Sequence, residues 1–505
     1  MRPFSLLIIL GILFSICSCR TDFSTVPNDG KLVFSKDTVF LDTVFSTISS
    51  STYLLKVYNH SKDDINIPTI KFSKGLNSKY RMTVDGMQGE NNKIFNNVTL
   101  LAKDSLYVFI ETTPNIADAN PNYFLYTDDI EFDSGTNLQK VALLTLVKDA
   151  VLLYPKRLSN GKTETVTFDN NELSGFYLDE NDAVNGNELH FTNQKPYVIY
   201  CYATVPEGKK VVFDAGARVY FHTNSGLIVP QSASLECNGS VSTTNKQENE
   251  IIFEGDRLEA DYANVPGQWA TIWLRNGSTA HKINHLTIKN ATIGLRIDNQ
   301  DQTTVSIKNS QIYNSSNYGI LAQNAKIQGE NIVINTAGKA TLVCTYGGNY
   351  QFTHCTFNNN WNNAQQLALT INNYKTGANP ETSNLTKATF NNCIIYGAYS
   401  NELNLDKNNA ALFEYQFNNC LLKFEANSTN PLYNFSNNVH YNNIVLNQNP
   451  RFFAIEKNKL NIDNTSAAFV KGNPAYSIPL DINGKTRTLP PDLGAYQSMM
   501  FPKEN

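Results

Sequence analysis

Between residues 30 and 148 the chain alternates apolar and polar residues in short runs, among them "TVFLDTVF", "TYLLKVYN", "INIPTIKF", "SLYVFIET" and "KVALLTLV". A period of two puts every second side chain on one face, as in a strand with one buried side. Polar turn stretches such as "HSKDD", "GENN" and "DSGTN" separate the runs. About nine strands in roughly a hundred residues predict an immunoglobulin-like β-sandwich over 30–148, with a β-barrel of equal strand number as the alternative. The region holds no Cys, so the sandwich is expected without the inter-sheet disulfide of antibody domains.

Beyond residue 150 the rhythm changes. "FNNCIIYG" at 390–397 and "FNNCLLKF" at 417–424 are near copies, and "FTHCTFNN" at 352–359, "IKNSQIYN" at 307–314 and "IKNATIGL" at 288–295 are weaker ones. Aligning the small residue of each gives Ala291, Ser310, Cys355, Cys393 and Cys420, with "IQGENI" placing Glu330 between the second and third. A recurrence of roughly 20 residues, with occasional longer steps, predicts one coil of a parallel β-solenoid per repeat. Insertions such as "YKTGANPETSN" would then form loops on the outside.

In "FNNC" the Phe is expected to point inward, the Asn to take the left-handed conformation of a tight turn, and the small residue to open the next strand. Asn290, Asn309, Asn392 and Asn419, with Gly329 and His354 in the same place, are expected to stack as an amide ladder at the strand spacing of about 4.8 Å. The whole chain therefore reads as all-β: the sandwich first, then a solenoid over 150–500.

Composition narrows the partners. Of 505 residues 17% are charged, the formal net charge is −4 and no Lys/Arg-rich run occurs, which argues against a nucleic-acid partner. Aromatic residues at 11%, with many Asn, Ser and Thr, suit an extracytoplasmic β protein.

The opening "MRPFSLLIILGILFSICSCR" sets one Arg before an apolar stretch short for a membrane span, ending in small residues and Cys. It resembles a bacterial lipoprotein signal. The resemblance implies removal of residues 1–18, lipidation of Cys19 and a linker over 19–29. Cys17 is the poorer acceptor because bulky Ile16 directly precedes it. Several acyl chains would anchor the protein to a membrane, and Arg20 in place of Asp after Cys19 points to the outer membrane of the cell envelope.

"VPEGKKVVFDAGARVYFHTNSGLIVPQSASLECNGS" at 205–240 looks like the opening coils of right-handed parallel β-helix proteins, as does "IIFEGDRLEADYANVPGQWATIWLRNGS" after it. "SIPLDINGKTRTLPPDLGAYQ" resembles the closing segment of bacterial choice-of-anchor surface proteins, through Asp481, Asn483, Gly484, Arg487, Asp492, Gly494 and Ala495. The arrangement as a whole is similar to lipoproteins of the Bacteroides group. These likenesses imply a right-handed parallel β-helix with a C-terminal cap and say little about chemistry.

Cleavage of acidic polysaccharides would need charge neutralisation and a base for a lyase, or paired carboxylates for a hydrolase. The polygalacturonase-like series "N-T-D", "D-D", "G-H-G" and "R-x-K" is absent from the helical part, as is the "DFIFG" signature of pectin esterases. Alternation in "TIWLRN", "GLRID", "YGILAQ" and "TLVCT" instead sends Trp273, Arg296 with Asp298, Leu321 and Val343 to the outer face. That stripe is no catalytic cluster, and Arg296–Asp298 reads as a surface ion pair.

The same alternation places Trp269 beside Trp273, with Tyr262 and the "EGDRLEAD" loop upstream. Exposed aromatic rings stack on sugars, and Asp256, Arg257 or Asp261 would orient hydroxyls; the alternative is a loop that folds back and buries both tryptophans.

Cys201, Cys237, Cys344, Cys355, Cys393 and Cys420 include no C-x-x-C pair, and no His stands at metal spacing except His354 beside Cys355. They are expected to be buried thiols, since stacked neighbours have near-parallel Cβ vectors unsuited to a disulfide. "D-x-N-G" at 481–484 offers too few oxygens for Ca²⁺, so Arg487 is expected to pair with a carboxylate and seal the last coil. No metal or cofactor is expected. The function expected is non-catalytic binding of a glycan or another surface protein by a lipid-anchored envelope protein. A β-helix lyase or hydrolase and a purely structural or adhesive role are the alternatives.

Overall fold

The computed structural model describes residues 24–298, 303–361, 365–377, 379–426 and 428–501. Cys17 and Cys19 lie outside the described residues. The chain divides into two compact units, Met1–Asp149 and Ala150–Asn505. Strands and short 3-10 turns make up all the regular structure among the described residues.

The first unit is a sandwich of a six-stranded and a four-stranded sheet. The first sheet runs Val26–Pro27, Ile65–Phe72, Leu125–Phe132, Gln139–Lys148, Thr38–Phe45, with Ile94–Leu100 also paired to Ile65–Phe72. The second runs Val33–Phe34, Tyr53–Tyr58, Ser105–Thr112, Tyr80–Val84. Alternation decides the packing: Val141, Leu143 and Val147 of Gln139–Lys148 face inward, against Leu55, Val57, Val108 and Ile110 in one shared core. Tyr80 is fully buried, and its hydroxyl donates to the Tyr126 carbonyl at 3.0 Å and lies 3.0 Å from Thr145 Oγ1. That satisfies the polar end that burial would otherwise penalise.

The second unit is a parallel β-helix. Its 11-stranded sheet runs from Val151–Leu153 to Val445–Leu446, and its 18-stranded sheet from Thr165–Phe168 to Tyr441–Asn442. Rungs pair in parallel throughout, apart from the hairpin Thr165–Phe168/Asn171–Tyr177. A single apolar column fills the interior from Leu153 to Tyr441. The Phe of "FNNC" does point inward: Phe352, Phe390, Phe417 and Tyr441 stack at 5.3, 4.9 and 5.5 Å with planes within 21°. The "YKTGANPETSN" stretch forms an external hairpin, Tyr374–Lys375 against Glu381–Thr382.

The ladder differs from the sequence reading in three ways, one being that Asn392 and Asn419 do not bond to each other: Asn392 Nδ2 meets His354 Nε2 at 3.0 Å and the Asn473 carbonyl at 3.1 Å, and Asn419 Nδ2 donates to the Lys471 carbonyl at 3.3 Å. Asn290 stands in a different turn, where Asn314 Nδ2 donates to its Oδ1 at 3.3 Å. "IQGENI" contributes Asn331 rather than Gly329: Asn331 has φ 50°, donates to Asn309 Oδ1 at 2.9 Å, and is followed by Ile332 where the repeat has its small residue. The near-identity of "IKNAT" and "IKNSQ" hid the place of Asn290, because two turns of one coil share the same local chemistry. Left-handed backbone holds throughout, with φ near 50° at Asn309, His354, Asn392, Asn419 and Asn443.

Nor does the C-terminal segment seal the last coil through an Arg–carboxylate pair. It lies along the side of the helix: Leu460, Ile482, Ala495 and Tyr496 pack on Tyr313 and Val333, and Ile462, Ala468 and Leu493 on Ile394 and Leu421. Buried Arg487 donates to Asn331 Oδ1 at 2.7 Å and to the carbonyls of Gly494 and Ala495. Asp481 and Asp492 accept backbone N–H groups instead. The last coil is covered by Leu432, Tyr433 and Phe435.

Candidate functional site

Strand register builds one continuous outer column. Trp273 pairs with Arg296, and Leu321, Val343, Thr370 and Asn404 follow in successive coils. At its upstream end Trp273 Nε1 donates to Asp298 Oδ2 at 2.7 Å, while Arg296 pairs with Asp298 at 2.9 Å and lies 4.1 Å from the indole centroid. Arg275 covers the same indole at 4.6 Å and pairs with Asp169 at 2.5 Å. Trp273 is thus enclosed between two guanidiniums whose charges are already matched.

Trp269 does not join it. The residue is 1% exposed, stacks on Phe221 at 4.3 Å and 10°, and donates from Nε1 to the Lys289 carbonyl at 2.8 Å. Strand Trp269–Leu274 buries Thr271 and Ile272 in succession, and a register shift falls between those two residues. The extra residue lies on the next strand, Gly294 between Ile293 and Leu295, and Trp269–Leu274 itself does not alternate strictly across this point, so counting back from Trp273 gives the wrong face for Trp269.

The "EGDRLEAD" loop forms a separate group. Arg257 pairs with Glu259 at 2.9 Å and sits 3.7 Å over the Tyr262 ring, and Asp261 is exposed. Asp256, one coil on from His222, accepts a hydrogen bond from that ring's Nδ1 at 2.7 Å, and the Tyr200 ring lies 4.5 Å from the imidazole, tilted by 32°. The hydrogen bond to Asp256 raises the His222 pKa above its ordinary value. This His–Asp pair was not legible from motifs, since only register places residues 222 and 256 together.

Further along the outer column lies an open cleft of about 720 Å³, a size common for small-ligand sites. Three rungs line it: Tyr318, Leu321 and Gln323, then Ala340, Val343 and Thr345, then Leu367, Thr370 and Asn372. Lys339 and Asn317 stand on the turn before the rungs, and Trp361 forms part of the wall. Small residues make the room. Ala340 follows Tyr318 in register, so a small residue stands next to the ring in the following rung. Asn317, Gln323 and Thr370 make no side-chain hydrogen bond to a described residue, so their polar groups face the cleft unspent.

Beneath the neighbouring smaller cleft of Gln365 to Leu367 and Tyr399 to Asn401 is Glu402, with no exposed surface. Its Oε1 accepts from Tyr399 N at 2.9 Å and Gln366 Nε2 at 3.4 Å, and its Oε2 has no partner. Gly397 is required beside it, because a Cβ there would collide with the carboxyl. Burial pushes the Glu402 pKa up to about 7.

A third cleft, of about 400 Å³, holds Lys156, Lys209, Glu180 and Glu188, and each of these groups has a partner. Lys209 pairs with Glu180 at 2.6 Å, Lys156 with Asp182 at 2.9 Å, and Glu188 accepts from Asp179 N at 2.9 Å. All six described cysteines are free and five are buried as expected; Cys201 departs from the expectation and is half-buried. Cys393 and Cys420 donate to the Phe352 and Phe390 carbonyls of the preceding coil, and burial raises the pKa of Cys355 and Cys420, favouring their protonated form. No cluster of three His, Cys, Asp or Glu suited to a metal ion occurs among the described residues.

No protein-family model matches the chain, and no curated protein matches it. Two similar solved structures are the ASH/PapD-like domain of human CEP192 (PapD-like domain 7) and a family 123 glycoside hydrolase from Clostridium perfringens, described for glycolipid glycan hydrolysis. The first has 15% identity and a TM-score of 0.15, covering 25% of this chain and 91% of that one. The second has 9% identity and a TM-score of 0.17, covering 24% of this chain and 30% of that one. Likenesses of this size bear on neither chemistry nor partners. The sandwich assignment stands on the two-sheet topology itself.

Proposed function

We propose that this is a non-catalytic saccharide-binding protein of the cell envelope, held at the membrane through Cys19 and using the outer cleft of its β-helix as the binding surface. One observation carries the reading: the cleft joins two aromatic rings, Tyr318 and Trp361, to the unspent amides of Asn317 and Gln323 on a rigid parallel sheet. Rings supply stacking surface and fixed amides orient hydroxyls. The cleft contains no carboxylate among its described residues, so the acid pair of a hydrolase is missing there.

The test is a glycan array on the full chain and on Tyr318→Ala, with product analysis of each hit. Binding that Tyr318→Ala weakens at least about tenfold, with the polymer left intact, supports the reading. Shortened products would make the protein an enzyme, and an array without hits would return the weight to a protein partner or a structural role.

A further inference from the structure

We infer that the ligand of this cleft is an anionic saccharide, bearing a carboxylate or a sulfate ester that meets Lys339 while a sugar ring stacks on Tyr318; the inference rests on the binding function proposed above. Lys339 Nζ lies 5.6 Å from the Tyr318 centroid and forms no ion pair with a described residue. Three cations of the helix wall are matched, Lys308 with Glu330 at 2.9 Å, Lys289 with Glu254 at 3.4 Å and Arg296 with Asp298 at 2.9 Å; Lys326, like Lys339, forms no ion pair with a described residue but lies outside the cleft.

No carboxylate lines the cleft among the described residues; the unspent amide beside Lys339 is Asn317, and that of Gln323 stands further along the same strand. An ammonium without an ion pair among the described residues, next to a ring and a neutral amide, complements a sugar that carries its own negative charge. A neutral sugar would leave that charge facing water.

Isothermal titration of the full chain against polygalacturonate, chondroitin sulfate, dextran and xylan tests this, with Lys339→Gln and, outside the cleft, Lys326→Gln as variants. We expect one of the two anionic polymers to bind, to weaken with added salt, and to lose about tenfold affinity in Lys339→Gln but not in Lys326→Gln. Which of the two binds distinguishes carboxylate from sulfate. Equal binding of a neutral polymer, unchanged in Lys339→Gln, overturns the anionic assignment and leaves the saccharide-binding function standing. Equal losses in both variants mean diffuse attraction and also overturn it. Silence from all four polymers removes the binding function itself.

Discussion

Arg487 donates from Nη2 to Asn331 Oδ1 at 2.7 Å, across 156 residues, and so ties the C-terminal segment to the turn ladder of the β-helix. Asn331 in turn donates to Asn309 Oδ1 at 2.9 Å and to the Leu480 carbonyl at 3.0 Å. The contact is buried, which lowers the Arg487 pKa to about 10; that group still stays charged at neutral pH.

Replacing Arg487 with Ala strands Asn331 Oδ1 and the carbonyls of Gly494 and Ala495 away from solvent. The expected loss is about 2–4 kcal/mol. Limited proteolysis should show new cuts within 450–501 while the coils persist, since a solenoid can release one segment locally. Unchanged proteolysis and an unchanged urea midpoint would remove Arg487 as the fastening.

Glu402 makes stability fall with rising pH. Its folded pKa of about 7 lies above the ordinary 4.5, so the folded state holds a proton that the unfolded chain releases between these values. Stability therefore declines through that window and levels off above it, by an amount on the order of 3 kcal/mol. Glu402→Gln should flatten this decline and exceed the native protein in stability at pH 8. Urea midpoints at pH 5 and pH 8 for both proteins decide it.

His222 contributes with its own sign. Its pKa is raised by Asp256, so the stability it adds is complete below its unfolded pKa of 6.5 and is lost as pH rises through the folded value. The side chain is 43% exposed, so solvent screening keeps the contribution small. Asp256→Asn should lower the His222 titration midpoint, read from its ring proton resonances. An unmoved midpoint would show that the 2.7 Å contact does not persist in solution.

The two tryptophans of Trp269–Leu274 should behave oppositely. Trp269→Ala removes a fully enclosed ring and should cost about 3–5 kcal/mol. Trp273→Ala, on the outer face, should cost less. Iodide quenching of Trp269→Phe and Trp273→Phe proteins should show weaker quenching wherever Trp269 is retained in place of Trp273. The reverse order would put the phase reversal in the wrong place.

Much of the architecture was legible because it is local. Alternation marked the sandwich strands, and the recurrence of "FNNC" marked a solenoid, since the coils that carry it repeat one buried Phe, one left-handed Asn and one small residue. The repeats failed where local chemistry is shared by unlike positions: Asn290 and Asn309 look alike in sequence and occupy different turns. They failed again at Trp269, where strict alternation breaks at Thr271 and Ile272, both buried, and leaves no mark in the residue types. The outer stripe Trp273, Arg296, Leu321, Val343 was read correctly because no skip intervenes between those residues and the inward neighbours used to phase them.

By itself, then, the sequence determined an all-β chain of a sandwich and a parallel coil, with inward aromatic rings and buried thiols, because each depends on periodicity within one strand or turn. Tertiary structure alone decided what lies beside what. The Tyr318–Lys339 cleft, the His222–Asp256 pair and the Arg487–Asn331 tie each join residues a coil or more apart, and coil lengths vary from 22 residues between Asn309 and Asn331 to 38 between His354 and Asn392. With unequal coils, spacing along the chain does not convert into stacking between rungs. Only the hydrogen-bond register of the sheets does so.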